Sequence, residues 1–181
     1  SRPSTTAAIL RSPALSKEDL KRPSFTTRRE RAAQAAFADY GQYLDSLEMT
    51  AAIKGPFEPL YIQRIAQLTN KSNQFNLTTL RCSEDDIRAM AGDKNDLCLC
   101  GKLVDKFGDN GIVTVVAGRQ QGDVLDLTLW LMSCRVLKRG MEDAMMDTVV
   151  AEAAARGVKT IVGPLLSDSQ KRHGARILRA I

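Results

Sequence analysis

The sequence is poor in the residues from which proteins build metal sites and disulfides. Its 181 residues include a single His, His173, and four Cys with no C-x-x-C spacing. Cys98 and Cys100 are too close in sequence to pair easily, while Cys82 and Cys134 each stand alone. These features argue against a disulfide framework and predict no metal site, so we expect reduced thiols in the cytoplasm.

Long apolar runs are also missing. Hydrophobic residues make up 44% of the chain, which is enough for one sizeable core. No run approaches the roughly 20 apolar residues that cross a bilayer, and no apolar segment follows a basic start. The sequence therefore predicts neither a membrane span nor a signal peptide.

The net charge of +5 is confined to the ends of the chain. Residues 1–31 carry eight Lys/Arg against three acids, and residues 168–181 carry four against one. The body between them, residues 32–167, has fourteen Lys/Arg and seventeen acids. Because nucleic-acid surfaces need a basic stripe across the folded body, we expect no nucleic-acid partner.

The chain is predicted to open with a linker and to continue with helices. Residues 1–26 contain three prolines with Ser/Thr and scattered charge, a composition typical of linkers. Apolar residues at helical spacing predict helices over Thr27–Leu47 and Glu58–Thr69. Ser83, followed by three acidic residues, predicts the cap of a short third helix.

The second half of the chain reads as strands around one long helix. The predicted strands are Met49–Lys54, Leu97–Val104, Gly111–Gly118, Val124–Met132 and Lys159–Gly163. Polar turns at Phe107–Gly111 and Arg119–Asp123 indicate that the middle three form an antiparallel meander. The helix covers Arg139–Arg156, with Met141, Met145, Thr148 and Val149 on its apolar stripe, and Gly157 suits its end. This order predicts an α+β fold with a mixed, largely antiparallel sheet and helices on both faces.

The segment Arg135–Gly140 joins the last strand of the meander to the long helix. The N-terminus of a helix offers unpaired N–H groups and a positive dipole end, which suit an anion. The basic side chains of this segment add positive charge. An anion site is therefore predicted, although a basic turn that caps a core helix explains the same residues.

Two polar segments are candidates for substrate contact. Asp105–Gly111 is favoured as a structural turn, with substrate contact as the alternative. Lys71–Thr79 surrounds Phe75 with amides and hydroxyls, which either bind an acyl group or satisfy their own backbone. The candidate residues in these segments are Asn73, Gln74, Asn76, Thr78, Asp109 and Asn110.

Cys134 is a weak candidate for a nucleophile. A thiolate beside Arg135 and close to a helix N-terminus would be activated. Against this role, no His precedes His173, and free Cys is common in protein cores. We identify no general base.

Several segments together resemble the FkbH-like proteins. The strings are NKSNQFNLTT at 70–79, DKFGDNGIV at 105–113 and LWLMSCRVLKRGME at 129–142, supported by DYGQYLDSLEM at 39–49 and PFEPLYIQRIAQL at 56–68. Those proteins join a HAD-type domain, which loads a glyceryl unit onto an acyl carrier protein, to a GNAT-like acyltransferase domain. The resemblance implies that residues 27–181 are a helical extension and an incomplete GNAT-like domain. The HAD-type domain that would precede residues 1–26 is absent from this sequence.

The resemblance implies binding of a phosphopantetheine thioester, on acyl-CoA or on an acyl carrier protein, in polyketide-type extender-unit biosynthesis. GNAT proteins cradle the pyrophosphate of acyl-CoA on R/Q-x-x-G-x-G/A, and Lys138 stands here in place of the middle glycine. The implied binding residues are Leu129, Met132, Cys134, Arg135, Lys138, Arg139, Gly140 and Met141. The alternative is a non-catalytic module that docks the carrier protein beside the HAD-type domain.

Residues 124–130 superficially resemble the D-x-D-x-T-L start of aspartyl phosphatases. Val124 stands at the position of the nucleophilic aspartate, so we expect no phosphatase activity by that mechanism. The segment is predicted to be a strand with Asp126, Thr128 and Trp130 on one face.

The resemblance ends at Gly163. Permitted codons for Leu165–Ile181, read one nucleotide later, yield Tyr-Tyr-Pro-Thr-Ala-Lys-Asn and further residues in the family's order. We therefore interpret 164–181 as an out-of-frame tail that reads as a basic helix, a hypothesis that resequencing of the locus tests. The last strands of the domain would then be missing, and the strand at 159–163 would be an unpaired edge.

Overall fold

The computed structural model describes residues 4–9, 39–71, 80–164 and 176–180. Its α-helices are α1 (Tyr40–Asp45), α2 (Ile62–Lys71), α3 (Glu84–Gly92) and α4 (Met141–Ala155). Its strands are β1 (Ser4–Ile9), β2 (Thr50–Gly55), β3 (Asp96–Asp105), β4 (Gly108–Gln121), β5 (Val124–Met132), β6 (Thr160–Pro164) and β7 (Arg176–Ala180). Short 3-10 turns cover Pro59–Tyr61 and Cys134–Val136.

The strands form one mixed sheet in chain order from β1 to β7. Neighbouring strands are antiparallel, except that β5 and β6 run parallel and are connected through α4. The predicted meander is confirmed as β3, β4 and β5. The predicted α+β class with a largely antiparallel sheet is confirmed as well.

Helices cover both faces of the sheet. On one face α1 and α4 pack through Tyr43, Leu44 and Met145. On the other face α2 and α3 pack through side chains such as Ile65 and Ile87. The β3 thiols of Cys98 and Cys100 both belong to this second cluster, which confirms that they share one face of their strand.

The helix ends follow from local sequence. Ser83 Oγ accepts the N–H of Asp86 at 3.2 Å, and Asp86 Oδ2 accepts the N–H of Ser83 at 2.8 Å. This capping box starts α3 as predicted. Gly157 has a φ of 76° just beyond α4, where glycine avoids the steric cost of a left-handed residue. The predicted apolar stripe of α4 is confirmed, because its four residues are all buried.

The first hairpin turn is shorter than predicted. The structure places only Lys106 and Phe107 between β3 and β4, whereas the sequence was interpreted as a turn over Phe107–Gly111. Asp109 and Asn110 therefore lie in β4. The strand absorbs the extra residue as a bulge at this point, where Gly111 takes a φ of 67°.

The prediction that Asp126, Thr128 and Trp130 share a face of β5 is wrong. Ala117 pairs with Leu129 while Gly118 pairs with Leu127, so Thr128 is an extra residue in β5. A β-bulge reverses the alternation of side chains beyond it. Trp130 consequently packs into the α1–α4 side of the core, among the side chains that contact Leu127.

β6 is not an edge strand, because residues 176–180 of the tail pair with it. β7 pairs antiparallel with the whole of β6, from Thr160 opposite Ala180 to Pro164 opposite Arg176. The expectations of an unpaired edge and of a helical tail are therefore wrong for these residues, since the backbone of 176–180 is extended. The reading-frame hypothesis itself remains a hypothesis.

Other predictions fall partly or wholly outside the described residues. They include most of the linker at 1–26, the first part of the helix at 27–47, the loop at 72–79 and His173. β1 lies inside the segment interpreted as a linker, and no sequence pattern predicted its pairing with β2.

Truncation after Pro164 tests the role of β7. The truncated chain should self-associate, because β6 would present unpaired backbone groups at the end of the sheet. Sedimentation velocity should show concentration-dependent larger species for the truncated chain and not for the full chain. Adding Thr160→Lys to the truncated chain should reduce association, since a charged side chain blunts an edge. A truncated chain that stays monomeric would contradict this account of β7.

Candidate functional site

The sheet opens between β5 and β6. The parallel ladder pairs Val124 with Thr160, Leu125 with Ile161 and Asp126 with Val162. β5 then continues to Met132 while the ladder has ended. The divergence coincides with the bulge at Thr128, because a bulge bends and twists its own strand. Among the described residues, the backbone of β5 beyond Asp126 is therefore not paired with β6.

The open edge of β5 offers backbone groups. Ser133 donates its N–H to Val113 of β4 at 2.7 Å, and Thr114 Oγ1 donates to the carbonyl of Leu131 at 3.0 Å. Successive residues of a strand point their N–H and C=O groups to opposite sides, so Trp130 and Met132 direct theirs away from β4. The side chains of Trp130 and Met132 are buried. The side chain of Leu129 is buried as well, but its backbone groups, like those of Leu131, point towards β4.

The loop after β5 is pinned at both ends by buried apolar side chains. Val136 and Met141 are fully buried in the core beside the sheet. Between them, Lys138 takes a φ of 65° and Gly140 a φ of 82°. A left-handed conformation turns consecutive N–H groups towards a common concavity, which is the geometry of anion-binding nests. Lys138 therefore adopts a conformation that glycine favours.

The exposed positive charge of this region belongs to Arg135. Its side chain is exposed on the 3-10 turn, and within the described residues it forms no ion pair. Cys134 lies next to it and is half-buried. Arg135 is thus available to a negatively charged ligand at the mouth of the loop.

Arg139 is turned inward. Arg139 Nη1 lies 3.1 Å from Asp105 Oδ2, and the two side chains are 4% and 1% exposed. The same carboxylate accepts the N–H of Phe107 at 2.9 Å and the side-chain amide of Asn110 at 3.2 Å. The structure therefore brings together two segments that the sequence singled out separately, the β3–β4 hairpin and the loop after β5.

Asp109 is placed apart from this cluster. Its Oδ1 accepts the N–H of Gly111 at 2.7 Å, and its Oδ2 lies 3.7 Å from Lys102 Nζ. These contacts stabilise the bulge in β4. The other substrate-loop candidates, in 72–79, lie outside the described residues.

A carboxylate occupies the concavity of the loop. Glu142 Oε1 accepts the backbone N–H of Lys138 at 2.7 Å. Burial raises the pKa of Glu142, while hydrogen bonds from the backbone N–H groups of Lys138, Glu142 and Gly140 act in the opposite direction. The chain's own negative charge therefore lies where an anionic ligand was predicted.

The buried cysteines are poor nucleophiles. Burial raises the pKa of Cys98 to about 12 and that of Cys100 to about 11, and it also raises the pKa of Cys82. Thiols with a pKa of about 11 or 12 stay protonated at neutral pH. Among the cysteines, this leaves Cys134 as the candidate.

A cavity of about 300 Å³ lies at the opposite end of α4. Glu152 and Arg156 line it together with Gly55 and Gly92. With a rise of about 1.5 Å per residue, the ten residues from Glu142 to Glu152 place this cavity about 15 Å from the loop. It is a separate feature from the opening beside β5.

Sequence reasoning missed two residues of the site, Asp105 and Glu142. An acidic residue at the end of a strand and another in the first turn of a helix are ordinary signals of capping. Their convergence on the loop depends on tertiary contacts. Trp130 was assigned to the wrong face because the bulge has no sequence signature.

Known proteins share this architecture. No family model matches the chain, and no curated protein matches it by sequence. The crystal structure of the ribosomal-protein-S18-alanine N-acetyltransferase from Escherichia coli superposes with a TM-score of 0.50 at 12% identity, over 66% of this chain and 70% of that one. Ard1 from Thermoplasma volcanium gives a TM-score of 0.50 at 12% identity, over 67% and 75%. The chain has the GNAT acetyltransferase fold. An acetyltransferase of the GNAT family from Streptococcus pneumoniae is also similar, with a TM-score of 0.48 at 17% identity over 62% and 73%.

The GNAT fold accounts for the order of the elements. The meander, the long helix after it and the parallel strand that follows are the elements expected from the sequence. No helix in the described part of the chain is long and apolar enough to cross a membrane. Over the same residues, no group of three His, Cys, Asp or Glu side chains is arranged to hold a metal ion.

Replacement of Arg139 by Met should destabilise the domain severely. The change leaves the Asp105 carboxylate buried without its charged partner, which typically costs about 3–5 kcal/mol. Urea denaturation measures the free energy of unfolding. Arg88→Met is the matched control, since Arg88 pairs with Glu84 and Asp85 at the surface and its loss should cost at most about 1 kcal/mol. Equal losses of unfolding free energy in the two variants would show that the buried pair stabilises the fold no more than the surface pairs do.

Glu142 should make stability fall as the pH rises. The folded chain binds the Glu142 proton more tightly than the unfolded chain, whose carboxyl has the ordinary pKa of 4.5. The stabilisation from this proton is complete below 4.5 and is lost as the pH rises through the raised, folded-state pKa. The free energy of unfolding of wild type minus that of Glu142→Gln, from urea denaturation, should therefore decrease upward from pH 4.5. Asp143→Asn is the control, and a difference that does not change with pH would contradict the shift.

Proposed function

We propose that this domain binds a phosphopantetheine thioester, carried by coenzyme A or by an acyl carrier protein, and transfers its acyl or glyceryl group. The observation that supports this most is the divergence of β5 from β6, with a nest of N–H groups in the loop at the end of β5. The GNAT fold is consistent with acyl transfer in general.

The chemistry of the pantetheine arm suits the open edge. The arm is extended and contains two amides, so it can pair with the backbone groups that Trp130 and Met132 direct away from β4. The phosphate at its end would reach the N–H groups of Lys138 and Gly140, close to the start of α4. Arg135 would add a positive charge at the mouth of the loop.

The biological setting follows from the resemblance to FkbH-like proteins. We propose an acyl carrier protein and a HAD-type domain as partners, polyketide-type extender-unit biosynthesis as the pathway, and the cytoplasm as the compartment. Cys134 is the proposed nucleophile if a covalent acyl intermediate forms, because it is half-buried beside the opening.

A carrier-protein docking module is the second candidate function. The side chains at the divergence of the strands are apolar, among them Leu127, Trp130 and Met132, and the described residues contain no His. A site with apolar walls and a phosphate cradle can hold a pantetheine arm without acting on it. Such a module would present the arm to the catalytic HAD-type domain.

Ligand binding tests the proposal. Acetyl-CoA or holo acyl carrier protein at millimolar concentration should raise the melting temperature, and saturation to 100 times Kd corresponds to about 2.7 kcal/mol of stabilisation. Arg135→Ala should reduce the shift, whereas Arg156→Ala, at the other end of α4, should leave it unchanged. The absence of any shift with both ligands would remove the main support for thioester binding.

Turnover separates the two candidate functions. Release of free thiol from acetyl-CoA, followed with a thiol reagent, would favour the transferase. Saturable binding without thiol release would favour the docking module.

A further inference from the structure

The carboxylate of Glu142 is hydrogen-bonded to the loop between β5 and α4. The bond from the Lys138 N–H to Glu142 Oε1 is 2.7 Å long, which is the length of a strong, charge-assisted hydrogen bond. Gly140 is the N-cap of α4 and makes no side-chain cap, so the carboxylate of the second helical residue reaches back beyond the cap. Glu142 thus occupies an N–H group that the proposed phosphate would need.

The environment of Glu142 argues for displacement by a stronger anion. Arg139 beneath the loop pairs with Asp105, Asp143 on the same helical turn repels the carboxylate, and the Tyr40 ring from α1 lies within electrostatic range. A phosphate carries up to twice the charge and three acceptor oxygens, so it satisfies more of the loop N–H groups than one carboxylate oxygen does. Two anions sharing the same N–H groups would repel each other.

We propose that Glu142 is an intramolecular competitor of the ligand's phosphate, which leaves the nest when the ligand binds and thereby sets the affinity of the site. The inference rests on the proposed function, because the phosphate in question is that of a phosphopantetheine ligand. It assigns to Glu142 a role in determining affinity and none in chemistry.

Three variants separate occupancy of the nest from net charge. Glu142→Gln keeps the shape of the side chain and removes its charge. Glu142→Asp keeps the charge but shortens the reach towards the Lys138 N–H. Asp143→Asn removes an exposed neighbouring charge that repels Glu142 but leaves Glu142 itself in place, and it is the matched control.

The binding of coenzyme A and of inorganic pyrophosphate is measured by calorimetry, and the Lys138 amide is followed in ¹⁵N–¹H spectra. Glu142→Gln should bind both about tenfold more tightly than wild type, the factor expected when a charged competitor for a hydrogen bond is removed. Glu142→Asp should also bind more tightly, whereas Asp143→Asn should change affinity by no more than about threefold. In wild type, saturating ligand should shift the Lys138 amide resonance as Glu142 leaves.

The outcomes distinguish this inference from the proposed function. If wild type binds coenzyme A and Glu142→Gln binds it equally or more weakly, Glu142 is a brace of the loop, and the inference is overturned while the function stands. If coenzyme A binds no variant but pyrophosphate shifts the Lys138 amide more readily in Glu142→Gln, the competitor role survives and the function does not. Equal gains in Glu142→Gln and Asp143→Asn would show a general charge effect and overturn the inference. A Lys138 resonance that neither ligand moves in any variant would also overturn it.

Discussion

The buried ion pair between Arg139 and Asp105 is the interaction on which the site depends. Asp105 ends β3 and holds the β3–β4 hairpin through the N–H of Phe107 and the amide of Asn110. Arg139 brings the loop after β5 to the same carboxylate. Burying two charges is favourable only when their remaining hydrogen-bonding groups are satisfied, and Asp105 meets that condition with three partners. The loop is therefore fixed from beneath by a contact between side chains that does not use its backbone N–H groups.

That fixation explains how a lysine is tolerated at a left-handed position. A non-glycine residue at a φ of 65° is destabilised by about 1–2 kcal/mol. Lys138 is held there because Val136 and Met141 are buried on either side and because its N–H donates to Glu142. The same hydrogen bond that relieves the strain also fills the nest. In the unliganded chain, the hydrogen bond that stabilises the loop is thus also the one that occupies its N–H group.

Much of the fold was predictable because its signals are local. Alternating apolar residues gave the three strands of the meander, Ser83 gave the start of α3, and Gly157 gave the end of α4. The loop was predicted as an anion site because a basic segment between a strand and a helix combines positive side chains with the free N–H groups of a helix N-terminus. Asp105 and Glu142 were missed because their partners lie 34 and four residues away and their importance arises from burial. β1 and β7 were missed because segments of six and five residues carry too short a pattern to indicate a strand.

The bulge at Thr128 has a consequence for how the opening is encoded. An extra residue reverses the side-chain alternation of β5 and bends it at the point where its ladder with β6 ends. No particular side chain is required for this effect, since Thr128 is exposed and its hydroxyl makes only a long, 3.4 Å bond to the carbonyl of Ala117. The crevice depends on the number of residues in β5 and not on which side chain stands at position 128. Over evolutionary time the position can therefore accept many amino acids, while loss of a single codon there would exchange the two faces of the strand's end and close the groove.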